Sequence, residues 1–207
     1  LGRDVLASGH SPERRTTIVR NRLQLFPAEF AQSPAHALRT LRRVAVMWDS
    51  RNANAQSEVN ATFAAIKRLG IADARFPIGA ESSIAAVLER IGELRPDALY
   101  VAFEGGTVME FRTTIADFGL RLRVPVVSGW SLLTEAGGLL SYAPDLPAMF
   151  RRSAYYVHRI LEGAAPRDLP VEQASTVEMV VNMRTAKALG VAVPAVLGAI
   201  PVGDLAV

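Results

Sequence analysis

Val44-Ala45-Val46-Met47-Trp48 runs directly into Asp49-Ser50-Arg51-Asn52-Ala53-Asn54. Five consecutive apolar residues are too many for a strand with one wet face, and they suit a strand buried on both. The polar hexapeptide behind them reads as a loop. A helix follows, with Val59, Phe63, Ile66 and Leu69 on one face. Gly70 ends it, because glycine takes the left-handed conformation of a helix stop without penalty.

The same unit repeats to the right. Ala72 to Ile78 is the second strand, and Ile84, Val87, Leu88, Ile91 and Leu94 stripe the next helix. Pro96-Asp97 turns the chain into a third strand, Ala98 to Phe103. After Glu104-Gly105-Gly106 the spacing predicts one helix carrying Val108, Phe111, Ile115 and Phe118, then a fourth strand over Val124 to Val127. Strands alternating with helices mean βαβ units. Right-handed crossovers then give a parallel, flavodoxin-like or Rossmann-like α/β sheet with helices on both faces.

Beyond the fourth strand, Gly138 to Ala143 reads as another strand. Pro144-Asp145 opens a long helix with Leu146, Met149, Phe150, Ala154, Val157, Ile160 and Leu161 on one face. Gly163 stops it. Leu169 to Gln173 is an extended connector, Thr176 to Asn182 a β-rich run, and Arg184 to Leu189 a short helix closed by Gly190. To the left, residues 1–40 are weakly periodic and interrupted by Pro12, Pro27 and Pro34, with a short helix expected over 35–41. Three parts result: an arm or lobe remnant over 1–42, an α/β ligand-binding lobe over 43–143, and a crossover helix, hinge connector and C-terminal elements over 144–207.

Composition narrows the function. The chain has 207 residues, half of them hydrophobic, and no cysteine, which excludes disulfides, thiolate metal sites and cysteine nucleophiles. Residues 1–43 carry eight arginines and three acids, so the net charge of +3 comes from the N-terminal fifth and the rest stands at −2. A near-neutral folded part does not carry a nucleic-acid footprint, and no nucleic-acid partner is expected. The start, LGRDVLASGH, contains no secretory signal, and the longest apolar stretch, Ala188 to Gly203, is broken by Pro194 and Pro201.

Signals for catalysis are thin. His10, His36 and His158 form no metal pair, so no metal or cofactor is expected, and no phosphate-binding glycine loop or nucleophile elbow is present. Asp49 invites comparison with a phospho-acceptor, but the further acids and the lysine such a site needs are missing. Ligands on open parallel sheets sit outside the carboxyl ends of the strands. The loops 48–54, 103–107 and 128–131 qualify. They offer Asp49, Asn52, Asn54, Glu104, Ser128 and Trp130 as contacts. Asn54 also suits a helix cap and Trp130 a core position. Glu104 suits the ammonium or hydroxyl of a ligand.

Four runs in the last third resemble one family. They are Gly137 to Pro144, Tyr155 to Gly163, Asp168 to Gln173 and Glu178 to Gly190. Their order and spacing are similar to bacterial ABC-transporter substrate-binding proteins of the tryptophan and tyrosine type. The resemblance implies a type I periplasmic-binding-protein fold, in which two α/β lobes close around a solute and present it to a membrane permease. It also implies a periplasmic location, no enzymatic activity, and a ligand-binding place for Tyr142 near the hinge. The family's first lobe has no counterpart here, so the chain resembles an N-terminally truncated member, mainly one lobe. The apolar stripe of the 145–162 helix is then expected to find a substitute partner through self-association. The family's loop reads as Asn-Pro-x-x-x-Asn, of which Asn54 alone is matched. An amino acid is the family-level solute. A ligand-sensing lobe of a regulator and a small flavodoxin-like enzyme are the alternatives.

Overall fold

The computed structural model describes residues 41–79, 82–102, 106–172, 177–191, 193 and 200–201. The arm over 1–40, with nearly all of its expected helix, lies outside these.

The opening strand is β1 (Arg43–Asp49), and six of its seven residues are buried. Its alternation builds two cores. Val44, Val46 and Trp48 enter one cluster, while Ala45 and Met47 enter the other. Helix α1 (Ala53–Arg68) covers the first cluster with Ala55, Val59 and Ile66. The following strand β2 (Ala72–Ile78) and helix α2 (Ile84–Leu94) lead to β3 (Ala98–Val101). Tyr100 on β3 is fully buried, and its hydroxyl donates to a Glu58 carboxylate oxygen of α1 at 2.6 Å, tying helix to sheet. Helices α3 (Thr107–Glu110) and α4 (Arg112–Leu122) precede β4 (Val126–Ser128). Helix α5 (Ser131–Glu135) precedes β5 (Leu140–Pro144). Ile84, Val87, Leu88 and Ile91 of α2 fill the second cluster with Val108, Ile115, Phe118 and Leu133. Helices therefore cover both faces.

The long helix α6 (Leu146–Leu161) begins at Asp145, whose carboxylate accepts from the Ala148 N–H at 2.8 Å. A 3₁₀ turn over Pro166–Asp168 follows, then β6 (Val177–Val181), α7 (Met183–Leu189) and β7 (Ile200–Pro201). The seven strands lie in the order β2-β1-β3-β4-β5-β6-β7. Every pairing is parallel except β5 with β6.

Four expectations are corrected. The helix expected after Gly106 is two, because Phe111 (φ −99°, ψ 16°) leaves helical geometry and restarts the ladder. The fourth strand begins at Val126, not Val124: the Val124 N–H turns back to the Gly119 carbonyl at 2.8 Å, and Pro125 has no N–H to give. The fifth strand is Leu140–Pro144 and not Gly138–Ala143. Finally, β6 runs antiparallel. The chain leaves the sheet at Pro144 and re-enters at Val177, and these two residues are register partners. The excursion between them starts and ends at one point on the edge.

That excursion carries its own ties. Arg152 pairs with Glu172 at 2.5 Å, and the Tyr156 hydroxyl donates to the Pro170 carbonyl at 2.9 Å. No residue of α6 is buried. Phe150 is 68% and Leu161 81% exposed, so a large part of the stripe that the sequence shows stays open in the described chain.

Candidate functional site

The sheet order places a switch point between β1 and β3. From β1 the chain moves outward to β2, then returns past β1 to build β3, β4 and β5 on the other side. The connections leaving β1 and β3 therefore run to opposite sides of the sheet, and the carboxyl edge at such a point is where open α/β sheets take their ligands.

At that point Asp49, Arg51 and Thr107 meet. Asp49 is 4% exposed. Its Oδ1 accepts from the Arg51 backbone N–H and from Arg51 Nε, both at 3.0 Å, and its Oδ2 accepts from Arg51 Nη2 at 2.7 Å. Nη2 also donates to the Thr107 hydroxyl, at the first residue of α3. This joins the β1 loop to the β3 loop. Gly106 takes a φ of +53°, a conformation that favours glycine, in the turn that leads to Thr107. The Arg51 guanidinium holds the Asp49 carboxyl far below the usual carboxylate range, against the opposing effect of burial. Asp49 in turn raises the pKa of Arg51. Asp49 is thus held in its charged form, with both oxygens engaged by Arg51 and the Thr107 hydroxyl beside them. Arg51 keeps 48% of its side chain exposed.

The β1 loop is set by local bonds. Ser50 gives both its N–H and its hydroxyl to the Ile78 carbonyl, each at 2.9 Å, pinning the loop to β2. The Asn52 N–H bonds the Asp49 carbonyl at 3.2 Å, and the Asn52 carbonyl accepts from Ala55 at 3.0 Å, so the turn passes directly into α1. Asn52 is half-buried, and Asn54 lies inside α1 at its second position. The Asn54 side chain and all of Glu104 fall outside the described residues.

Ser128 lies in one row with Met47, Val101 and Ser141 across the sheet. It is buried, and its hydroxyl donates to the Trp130 carbonyl at 2.7 Å. Trp130, half-buried, is the residue before α5. Tyr142 sits at the same edge on β5 but packs half-buried against the cluster under α1, on the opposite face from Met47. The switch point thus brings together Asp49, Arg51 and Thr107, with Ser128 and Trp130 joined to each other two strands along. Tyr142 stands apart.

Sequence reasoning noted Arg51 in the loop without assigning it a role, and it missed Thr107. The i,i+2 spacing of Asp49 and Arg51 in a turn is a local signal for the ion pair. Nothing local links Arg51 to Thr107, which only the β1–β3 pairing brings near.

The profile of a family described as ABC transporter substrate binding protein matches residues 35–202. No curated protein matches the chain. Among solved structures, an ABC domain from Streptococcus pneumonia in complex with L-Trp is 21% identical with a TM-score of 0.73. The alignment covers 88% of this chain and 61% of that one. A conserved domain protein from Vibrio cholerae is 24% identical at TM-score 0.71, covering 88% of this chain and 59% of the other. The ligand-free, open structure of a substrate binding protein with adhesive properties from Clostridium difficile is 21% identical at TM-score 0.64, covering 86% and 57%. The chain therefore spans roughly three fifths of the length of each. These likenesses show a shared type I periplasmic-binding-protein fold.

Proposed function

The chain belongs to the ABC-transporter substrate-binding protein family, and from that premise we propose that it captures a small solute, of the amino-acid class, and hands it to a membrane permease. The supporting observation is the coincidence of the sheet's switch point with a fixed polar cluster, Asp49–Arg51–Thr107, at the carboxyl edge. Ser128 and Trp130 extend the same rim, and Asn52, Asn54, Glu104 and Tyr142 remain candidate contacts. The Streptococcus pneumonia relative carries L-Trp, which favours an amino acid.

The chain acts here as a binder, not an enzyme. Every group at the switch point holds another in place: Asp49 fixes Arg51, and Ser128 fixes the turn at Trp130. A carboxylate held ionised by a bidentate guanidinium is a poor proton acceptor, because protonation would break the pair. In this reading the rim is one wall of a two-walled cleft. The excursion from Pro144 to Val177 is the crossing to the second lobe, and closure follows from the solute's tighter binding to the closed state. Such a protein works in the periplasm. The exposed stripe of α6 packs against a second copy of the protein.

Native mass spectrometry of the protein purified from its own cells tests the reading. A non-covalently bound molecule of amino-acid size is the expected result. Protein free of any solute, together with no heat of binding across the amino acids, would refute it.

A further inference from the structure

We propose that Arg51 receives an acidic group of the solute, so that the molecules bound at the switch point are carboxylates. This rests on the solute-binding reading above and names the chemistry of its site.

The loop offers one carboxylate and one guanidinium, and the structure decides which of them faces a ligand. Asp49 is buried, and both of its oxygens are engaged by Arg51. A ligand ammonium would have to displace a bidentate pair to reach it. Arg51 is the opposite case. Its Nε and Nη2 are held by Asp49 and Thr107, while Nη1 has no partner among the described residues. Half of the side chain is open to solvent. With Nε and both N–H groups of Nη2 engaged, the clamped guanidinium presents the two N–H groups of Nη1 in a fixed direction, as a charge-assisted donor to an acidic oxygen. The clamp also removes the rotamer entropy that a free arginine would lose on binding. Asp49 is therefore a positioning residue: it neutralises the net charge of the rim but leaves the donor side of the guanidinium outward.

The site's location supports the assignment. Arg51 bonds Thr107 at the start of α3, so its guanidinium stands at the carboxyl edge of the sheet, at the switch point between β1 and β3.

The test uses the full-length protein and matched pairs: L-tryptophan with L-tryptophanamide, L-leucine with L-leucinamide, and phenylacetate with phenylacetamide. Binding is read by isothermal titration in the native sequence, R51Q and R51K. The expected result is that at least one acid binds, about tenfold or more tighter than its amide, since a charge-assisted contact is lost. In R51Q acid and amide bind alike; in R51K the preference keeps its sign but shrinks. If R51Q leaves Asp49 unpaired and fails to fold, the double variant D49N/R51Q removes both charges together and gives the same readout. Amides binding as tightly as acids, or R51Q keeping the acid's affinity, would overturn the assignment and leave the solute-binding reading standing. Silence of all three acids also overturns it. The bound molecule in the native mass spectrum then separates the two claims: a neutral or cationic solute preserves the solute-binding reading, and an empty protein ends it.

Discussion

Alanine at Gly119 and alanine at Gly92 should act in opposite directions, and the structure gives the size of each effect. Both glycines lie inside helices, so alanine gains about 1 kcal/mol of helix propensity at either site. At Gly119 the new Cβ would stand 2.4 Å from Val126 Cγ2 and 2.8 Å from the Val124 carbonyl oxygen. Neither neighbour can yield. Val126 is 3% exposed in β4, and Val124 is tied back to the Gly119 carbonyl at 2.8 Å. With two contacts below 3.0 Å against fixed atoms, overpacking costs the upper part of its usual range, about 2–3 kcal/mol, because α4 must lift from β4. The net loss is about 1–2 kcal/mol, which for a domain of this size lowers Tm by about 2–8 °C. At Gly92 the Cβ would meet Leu122 Cδ1 at 2.9 Å, the tip of a side chain 44% exposed and free to swing outward. There the propensity gain survives, and Tm should rise by about 1–4 °C. Thermal unfolding followed by circular dichroism measures both. Equal shifts of one sign, or a Gly119→Ala protein as stable as the parent, would refute the close seating of α4 on β4.

Asp49→Asn should lower stability at neutral pH by an amount that depends on acidity. The folded carboxyl titrates below its ordinary value, so its contribution is complete above about pH 4 and disappears as the pH falls through the folded pKa. Urea titrations at pH 7 and pH 3 check this; a gap between the two proteins that widens in acid contradicts it. Glu178, on β6, has the opposite sign, its pKa raised first by burial and then by Asp145 and Glu135. Glu178→Gln should therefore stabilise the protein at pH 7, with the gain fading as the pH drops toward the ordinary glutamate range. The double change Phe150→Asp with Leu161→Asp should leave the circular dichroism of the folded chain unchanged, since both side chains are exposed, while sedimentation shifts from a dimer to a monomer and the Tm loses its dependence on protein concentration. A variant that sediments as the parent does would contradict it.

Much of the fold was legible because its signals are local. The Val44–Trp48 run marked a strand buried on both faces, and Val87, Leu88 and Ile91 marked the buried side of α2. Errors came where tertiary bonds override pattern. The apolar Val124 looked like strand but closes a helix, because Pro125 cannot continue the ladder. The direction of β6 was not legible, since it depends on where the excursion returns and not on any residue within Val177–Val181. The site was half legible. The loop after β1 was singled out, and Asp49 with it. The inversion of roles within that loop, with Asp49 buried and Arg51 presented, depends on Thr107, which lies far away in sequence.

The solute's place on the sheet is the central claim, and a crystal structure of the solute-loaded, full-length protein tests it most directly. The account predicts the solute at the carboxyl edge between β1 and β3, with an acidic oxygen about 3 Å from the Arg51 guanidinium. A solute seated at the opposite edge, near Arg43 and Ala98, or held away from Arg51, would contradict it.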